Sequence, residues 1–426
     1  MSAPPAAGRA SGFEPWQQRL AGAAACTVPG VLMRLGGGVF APPVQLVAYG
    51  AGVVAAAFML AWACEAAQVD IAHGIVVALV AFVAILPEYV VELHFAFTGH
   101  ADLVTANLTG ATRLLLGACI GLPSVLALLP RRHRPKEIGP LELAPDHRVE
   151  LAVLGLAAVW ALRAVARGEL TVLDSAVLVG LYVIYLRRVI GADSEEVAPI
   201  GVAASLAELP VERRRIWVRG LMGYSALVIL VTAVPFGDAV LATGALVGIS
   251  PFLLLQWLVP VATEVPELVV AWVLLVHGRG GQSVAVLLAG AVSQCTLAMG
   301  TLPVAFVLGA GTGPLPLAPR ERIELLLTVG VALYAVAAVL TLRVSRGDAS
   351  IMLGLFAVQF VLPSVLTRLL LAIVFLLLAV DVLFAERRLV RPVLSTLLGK
   401  PGRSESGSDD QRRRSPRHPP DGNLAS

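Results

Sequence analysis

The sequence predicts an all-α integral membrane protein, an inverted-topology repeat of two five-helix halves with one additional C-terminal membrane helix. Three observations predict it. Hydrophobic residues make up 57% of the chain and charged residues only 14%, with mean hydropathy +0.82, whereas a soluble domain carries about 25% charged residues. Several apolar runs reach the ~20 residues that a helix needs to cross a bilayer, and they are apolar on all faces, unlike barrel strands. Finally, "LPEYVVELHFAFTGHADL" (86–103) recurs as "VPELVVAWVLLVHGRGGQ" (265–282).

The elements follow in order. Residues 1–43 are rich in Ala, Pro and Gly and lack the basic start and apolar core of a signal peptide, so a flexible segment is expected. A first membrane repeat, 44–190, holds spans at 44–64, 71–98, 102–129, 149–166 and 170–189. A linker over 191–220 is too short for a soluble domain. The second repeat, 221–365, holds spans at 221–247, 251–276, 283–309, 321–342 and 348–363, and the additional helix occupies 366–386. Residues 387–426 read as a basic disordered tail.

The two halves match beyond the quoted pair. Gly99 lies eleven residues past Glu88, and Gly278 lies eleven past Glu267. Gly121-Leu122-Pro123 matches Thr301-Leu302-Pro303, "VELAVLGL" (149–156) matches "IELLLTVG" (323–330), and "RGEL" (167–170) matches "RGDA" (346–349). Five spans per half is an odd number, so the second half enters the membrane inverted, the architecture of secondary transporters. The basic clusters at 131–136, 186–188, 211–215 and 386–391 share one side if the N-terminus is outside and the C-terminus cytoplasmic, which places the chain in a plasma membrane. "RRRSPRHPP" in the tail reads as a solvated topology anchor, so the partners expected are the lipid bilayer and inorganic cations, with no nucleic acid.

The chemistry is concentrated in carboxylates at membrane depth. Each costs at least ~2.5–3.5 kcal/mol there, yet Glu88 and Glu267 stand at matching positions, each preceded by a proline. Pro87 and Pro266 are expected to bend or open their helices, freeing carbonyls beside the glutamates. Carboxylate, carbonyl and hydroxyl oxygens suit a hard cation, and protons compete for the same carboxylates. Glu92 lies one turn past Glu88, and Glu264 three residues before Glu267, so four carboxylates can share one cavity. Such a group repels itself, and one member must be protonated or paired. Arg113, in the third span, is the obvious partner, alternatively an arginine paired structurally or facing away. Of the histidines, His94 reads as a packed residue, and His100 and His277 as interfacial caps.

Other chemistries find little support. Cys26, Cys64, Cys119 and Cys295 show no metal or disulfide spacing. "GRGGQS" follows a membrane helix rather than a strand, so it is no phosphate loop, and without a nucleotide motif the energy source is an ion gradient. No Ser/His pair supports an intramembrane enzyme, and no cofactor is expected.

The two repeated segments resemble the paired α-repeats of the calcium/cation antiporter superfamily, which includes sodium/calcium and cation/proton exchangers. In the first repeat Pro87-Glu88, Gly99, Asp102, Asn107 and Gly110 match the family pattern. In the second, Thr263, Pro266-Glu267, Gly278 and Gly290 match with one residue inserted in "GRGG", which places Ser293 and Gln294 at the Thr-Gln of the cation/proton exchangers. The resemblance covers residues 44–363 and implies alternating-access exchange of Ca²⁺ or a related cation for Na⁺ or H⁺. It implies Glu88 and Glu267 as central metal ligands, with Thr263, Glu264, Ser293 and Gln294 beside them and Glu92, Arg113, Asn107 and Asp102 in tuning or proton-linked roles. The departures are Ile85, Ala111 and Leu115, where the family has oxygen-bearing side chains, Glu264 in place of a hydroxyl and Glu92 in place of Ser. They leave open a Na⁺ or K⁺/H⁺ antiporter, or a non-transporting scaffold or sensor.

Overall fold

A computed structural model describes residues 14–38, 40–70, 85–128, 141–190, 199–311 and 313–397. The start of the second predicted span (71–84), the basic cluster 131–136 and the tail 399–426 lie outside the described residues. The first half comprises α2 (Pro42–Ala67), α3 (Leu86–Phe97), α4 (Ala101–Leu128), α5 (Arg148–Arg167) and α6 (Val172–Ile190). After the short α7 (Val202–Ala207), the second half comprises α8 (Val211–Val247), α9 (Pro251–Val276), α10 (Gly280–Ser293), a π-helical turn Gln294–Ala298, α11 (Met299–Ala310), α12 (Pro319–Val339) and α13 (Arg346–Val361). The additional helix is α14 (Val365–Ala385), followed by α15 (Arg387–Ser395). Eight helices among the described residues are long and apolar enough to cross a membrane, and side chains such as Leu227, Leu308, Leu377 and Val380 point outward, where lipid tails would meet them.

The inversion is visible in how matching helices meet. The segment before α5 pairs with the segment after α12, Leu143 N donating to Leu342 O at 2.8 Å and Val344 N to Leu141 O at 3.1 Å. At the opposite end β1 (Glu169–Leu170), after α5, pairs antiparallel with β2 (Leu315–Pro316), before α12. So α5 and α12, which carry the matching "VEL" and "IEL" segments, run antiparallel. Gly99 and Gly278 hold the same left-handed conformation, φ 81° and 79°, where the helices carrying Glu88 and Glu267 end. Gly110 lets α4 cross α9 at close range: a Cβ there would stand 1.9 Å from the Gln256 carbonyl oxygen.

α2 and α8 pack along each other and are clasped at one end, where Arg214 Nε donates to Asp70 Oδ2 at 2.9 Å and a second guanidinium nitrogen meets Oδ1. The Arg214 guanidinium holds the Asp70 carboxyl below its usual range. A depressed carboxyl contributes stability above its unfolded pKa of about 4 and loses it as pH falls through the lower folded value. Asp70→Asn is expected to cost roughly 1–3 kcal/mol, and thermal unfolding should show that cost constant from about pH 6 to 8 and shrinking below about pH 4.

One expectation is corrected at the N-terminus. Residues 15–36, expected to be flexible, form α1 (Pro15–Gly36). Alanine propensity and packing outweigh the polar residues that hid it: Trp16 sets its ring edge against Trp217 at 5.8 Å, and Thr27 hydrogen-bonds Tyr224 at 2.5 Å. α1 runs alongside α8 and antiparallel to α2, which brings residue 14 to the end where Asp70 and Arg214 lie. α15 is anchored at that same end, its trailing Leu397 carbonyl accepting from Arg188 Nη2 at 2.5 Å, so both ends of the described chain lie at one end of the helix bundle. Residues 387–395, expected in the disordered tail, are helical, and part of the expected linker is taken up by α7 and the first turns of α8.

The proline expectation also changes. α9 continues without a break through Pro260 and Pro266, and Pro87 sits in the first turn of α3, where its missing N–H costs nothing. Pro266 still leaves the Ala262 carbonyl without its helical donor. The widened turn falls instead at Gln294–Ala298.

Candidate functional site

α3, α4, α9 and the π turn bring five of the singled-out side chains together. Asn107 Nδ2 on α4 donates at 3.3 Å to both Glu88 Oε1 and Glu92 Oε1 on α3. Gln294 Nε2, presented by the π turn, meets Glu88 Oε2 and donates to Glu264 Oε1 at 3.2 Å. Glu88 and Glu264 are within hydrogen-bond reach of each other; two carboxyls that close hold a proton or a cation between them. Glu88, Glu92, Asn107, Glu264 and Gln294 are all buried.

The remaining predicted residues divide. Glu267 lies beside this group, half-buried, within electrostatic reach of Glu264 and of Glu65 on α2. Glu264, rather than the pseudo-symmetric mate Glu267, stands against Glu88, and Glu88 and Glu264 share Gln294 Nε2 as donor. Thr263 and Ser293 lie on the bordering turns, their hydroxyls donating to their own helices at Val259 O (3.1 Å) and Ala289 O (3.2 Å). Asp102 is exposed at the start of α4, near Arg320, and takes no part. Arg113 is paired with none of the four carboxylates: its Nη2 lies 2.8 Å from Glu324 on α12. Two residues from Ala111 and Leu115, it points off the site side of α4, as its helical offset allows. Ala111 and Leu115 are buried packing residues, Leu115 lying against Gly290.

The histidines are peripheral. His277 bonds the Val273 carbonyl at 2.7 Å and His100 the Thr98 hydroxyl at 3.0 Å, while His94 lies 3.8 Å from Asp238. Sequence reasoning missed Glu65, whose signal was a carboxylate closing an apolar run, and Gln256, Glu324 and Arg368, polar residues inside predicted spans.

What the cluster can do follows from its unpaired atoms. Glu92 Oε2, Asn107 Oδ1, Gln294 Oε1 and Glu267 Oε2 are buried oxygens without a hydrogen-bond donor. This all-oxygen set fits a hard cation and excludes a thiolate or imidazole site. No group of three or more His, Cys, Asp or Glu side chains converges into a ready metal centre among the described residues; Asn107 wedges against Glu88 and Glu92, and Gln294 against Glu88 and Glu264. Rotating either amide exchanges its N–H groups for its free carbonyl oxygen and turns a wedge into a ligand.

The family model described as "Sodium/calcium exchanger protein" matches residues 42–191 and 217–365. A solved structure described as that of the H⁺/Ca²⁺ exchanger CAX is 32% identical, covers 90% of this chain and 98% of its own, and superposes with TM-score 0.83. Native YfkE shares the fold at 14% identity and TM-score 0.56, covering 85% of this chain and 99% of its own. The sodium-calcium exchanger NCX_Mj, soaked with Na⁺ and Sr²⁺, does so at 17% identity and TM-score 0.50, covering 79% and 98%. No curated protein matches the chain.

Proposed function

Because the chain belongs to the sodium/calcium exchanger protein family, we propose that it is a secondary active cation antiporter that moves Ca²⁺ across the membrane in exchange for H⁺. The observation that carries this reading is the buried group of carboxylates and amides between α3 and α9, with its four unpaired oxygens. The choice of proton as counter-ion rests on the 32% identity to the H⁺/Ca²⁺ exchanger CAX and on Ala111 and Leu115, which remove oxygens from the first-repeat side of the site.

Asn107 and Gln294 hold the carboxylates of the site together, with Glu88 beside Glu264. Entry of Ca²⁺ displaces protons from the carboxylates and turns the amide oxygens inward. Its release on the other side reverses both changes. Glu267, facing Glu65 on α2, is the carboxylate placed to receive an ion arriving along that helix. No covalent chemistry is involved, so the protein acts as a carrier and not an enzyme. The basic clusters at 186–188, 211–215 and 386–391 support a cytoplasmic position for the clasped end, in a plasma-membrane protein. With α1 crossing beside α2, residue 14 lies on that side too.

The test is uptake of labelled Ca²⁺ into everted vesicles. Uptake is expected when the vesicle lumen is acidic, and much less with an outward Na⁺ gradient at matched pH. Uptake driven by Na⁺ alone would reassign the counter-ion. Transport of Na⁺ or K⁺ in place of Ca²⁺ would reassign the cargo, and no transport of any of these would leave a scaffold or sensor.

A further inference from the structure

A second group of charges lies away from the carboxylate–amide site. Arg113 on α4, Gln256 on α9, Glu324 on α12 and Arg368 on α14 are each at most 1% exposed. Arg113 Nη2 lies 2.8 Å from Glu324 Oε2, Arg368 meets the same carboxylate, and Gln256 Nε2 donates to Glu324 Oε2 at 2.9 Å. One carboxylate thus serves two guanidiniums and an amide. Arg113 Nε is satisfied by the Thr109 carbonyl at 2.9 Å. Arg113 Nη1, Arg368 Nε and Arg368 Nη2 remain buried with no hydrogen-bond acceptor. Of the other cations on α12, Arg322 Nε donates to the Val165 carbonyl at 2.8 Å, and Arg320 is engaged with the Phe252 ring at 3.7 Å and lies near Asp102 and Glu321, which accept from none of these nitrogens.

We propose that Arg113 and Arg368 form a binding site for a monovalent inorganic anion of halide size, beside Glu324 where α4, α12 and α14 meet. Arginine does not shed its proton in proteins, so two guanidiniums against one carboxylate leave one positive charge at membrane depth. A single negative charge balances it, and the orphaned N–H groups supply donors for that anion. A doubly charged oxyanion would overcompensate, and its stronger hydration opposes entry into a site with no exposed residue. The anion completes a link between the first repeat (Arg113), the second (Glu324) and the helix outside both (Arg368). It is independent of the transported cation.

The experiment uses the full-length purified protein in detergent, with thermal unfolding followed in chloride, bromide or gluconate at equal ionic strength and pH. A saturable rise in Tm of a few degrees is expected in chloride and bromide and not in gluconate. Arg368→Gln leaves the neutral Arg113–Glu324 pair and is expected to abolish the halide-dependent rise, whereas Arg388→Gln on the exposed face of α15 should keep it. If Arg368→Gln does not fold, Arg113→Gln, which leaves the neutral Arg368–Glu324 pair, takes its place. Bromide located by anomalous scattering between the two guanidiniums of the wild type would support the site directly. Equal Tm in halide and gluconate for the wild type, or a halide effect that survives Arg368→Gln or Arg113→Gln, would overturn it.

Discussion

Glu88→Gln is expected to reduce Ca²⁺ uptake by at least about 100-fold while leaving the protein folded. The size of the loss follows from position. Glu88 alone touches both amides, accepting from Asn107 at one oxygen and from Gln294 at the other, and it also meets Glu264. Removing its charge subtracts a ligand from the divalent cation and breaks the contact that holds a proton in the cation's absence; loss of a mere supporting residue around a metal already costs 10–100-fold. Folding is spared because a glutamine oxygen still accepts from Asn107, and its amide group fills the same volume. Labelled uptake and a thermal melt of the same preparation separate the two effects. Wild-type uptake by the variant would remove Glu88 from the transport site. Glu92 lacks a symmetry mate, its counterpart being Ala271, so Glu92→Gln is expected to weaken uptake without eliminating it.

Glu324→Gln should damage stability rather than chemistry. It leaves Arg113 and Arg368 facing each other in an unexposed site with no carboxylate between them, and removal of one partner from a buried ion pair costs about 3–5 kcal/mol. A low yield of folded protein and a sharply lowered Tm are expected. The double variant Glu324→Gln/Arg368→Gln should recover part of the loss, because only one guanidinium then remains to be compensated. Additive losses in the double variant would show that the three side chains do not act as a unit.

Much of the architecture was legible because a bilayer leaves few options. Apolar runs of membrane length must be helices, and an odd number of them per repeat must invert the second copy; the boundaries of α2, α4, α9 and α14 fall within a few residues of those expected. α1 was illegible because its Gln and Arg residues lower its hydropathy, while Trp217 and Tyr224, which stabilise it, lie some 200 residues away. In the candidate site, the repeated Pro-Glu pair singled out Glu88, helical spacing set Glu264 beside Glu267, and the family resemblance alone pointed to Asn107 and Gln294. Proline chemistry alone misassigned Pro266 as a break, and of the two roles open to Arg113 the structure shows the structural pairing. Neither outcome was legible locally: what a proline or an arginine does depends on the helix packed against it, and Glu324 lies 211 residues beyond Arg113.

The backbone pairing at both ends of α5 and α12 has a mechanical consequence. Those helices are stitched by main-chain hydrogen bonds at one membrane face through residues 141–143 and 342–344, and at the other through β1 and β2. A seam sewn at both hems cannot open like a hinge at either face. Another antiparallel pair of matching helices, α2 and α8, has no main-chain hydrogen bond across its contact among the described residues, with the Asp70–Arg214 clasp at one end. Whatever exposes the carboxylates first to one compartment and then to the other has its freedom on that unsewn flank, where α2 carries Glu65 past Glu267.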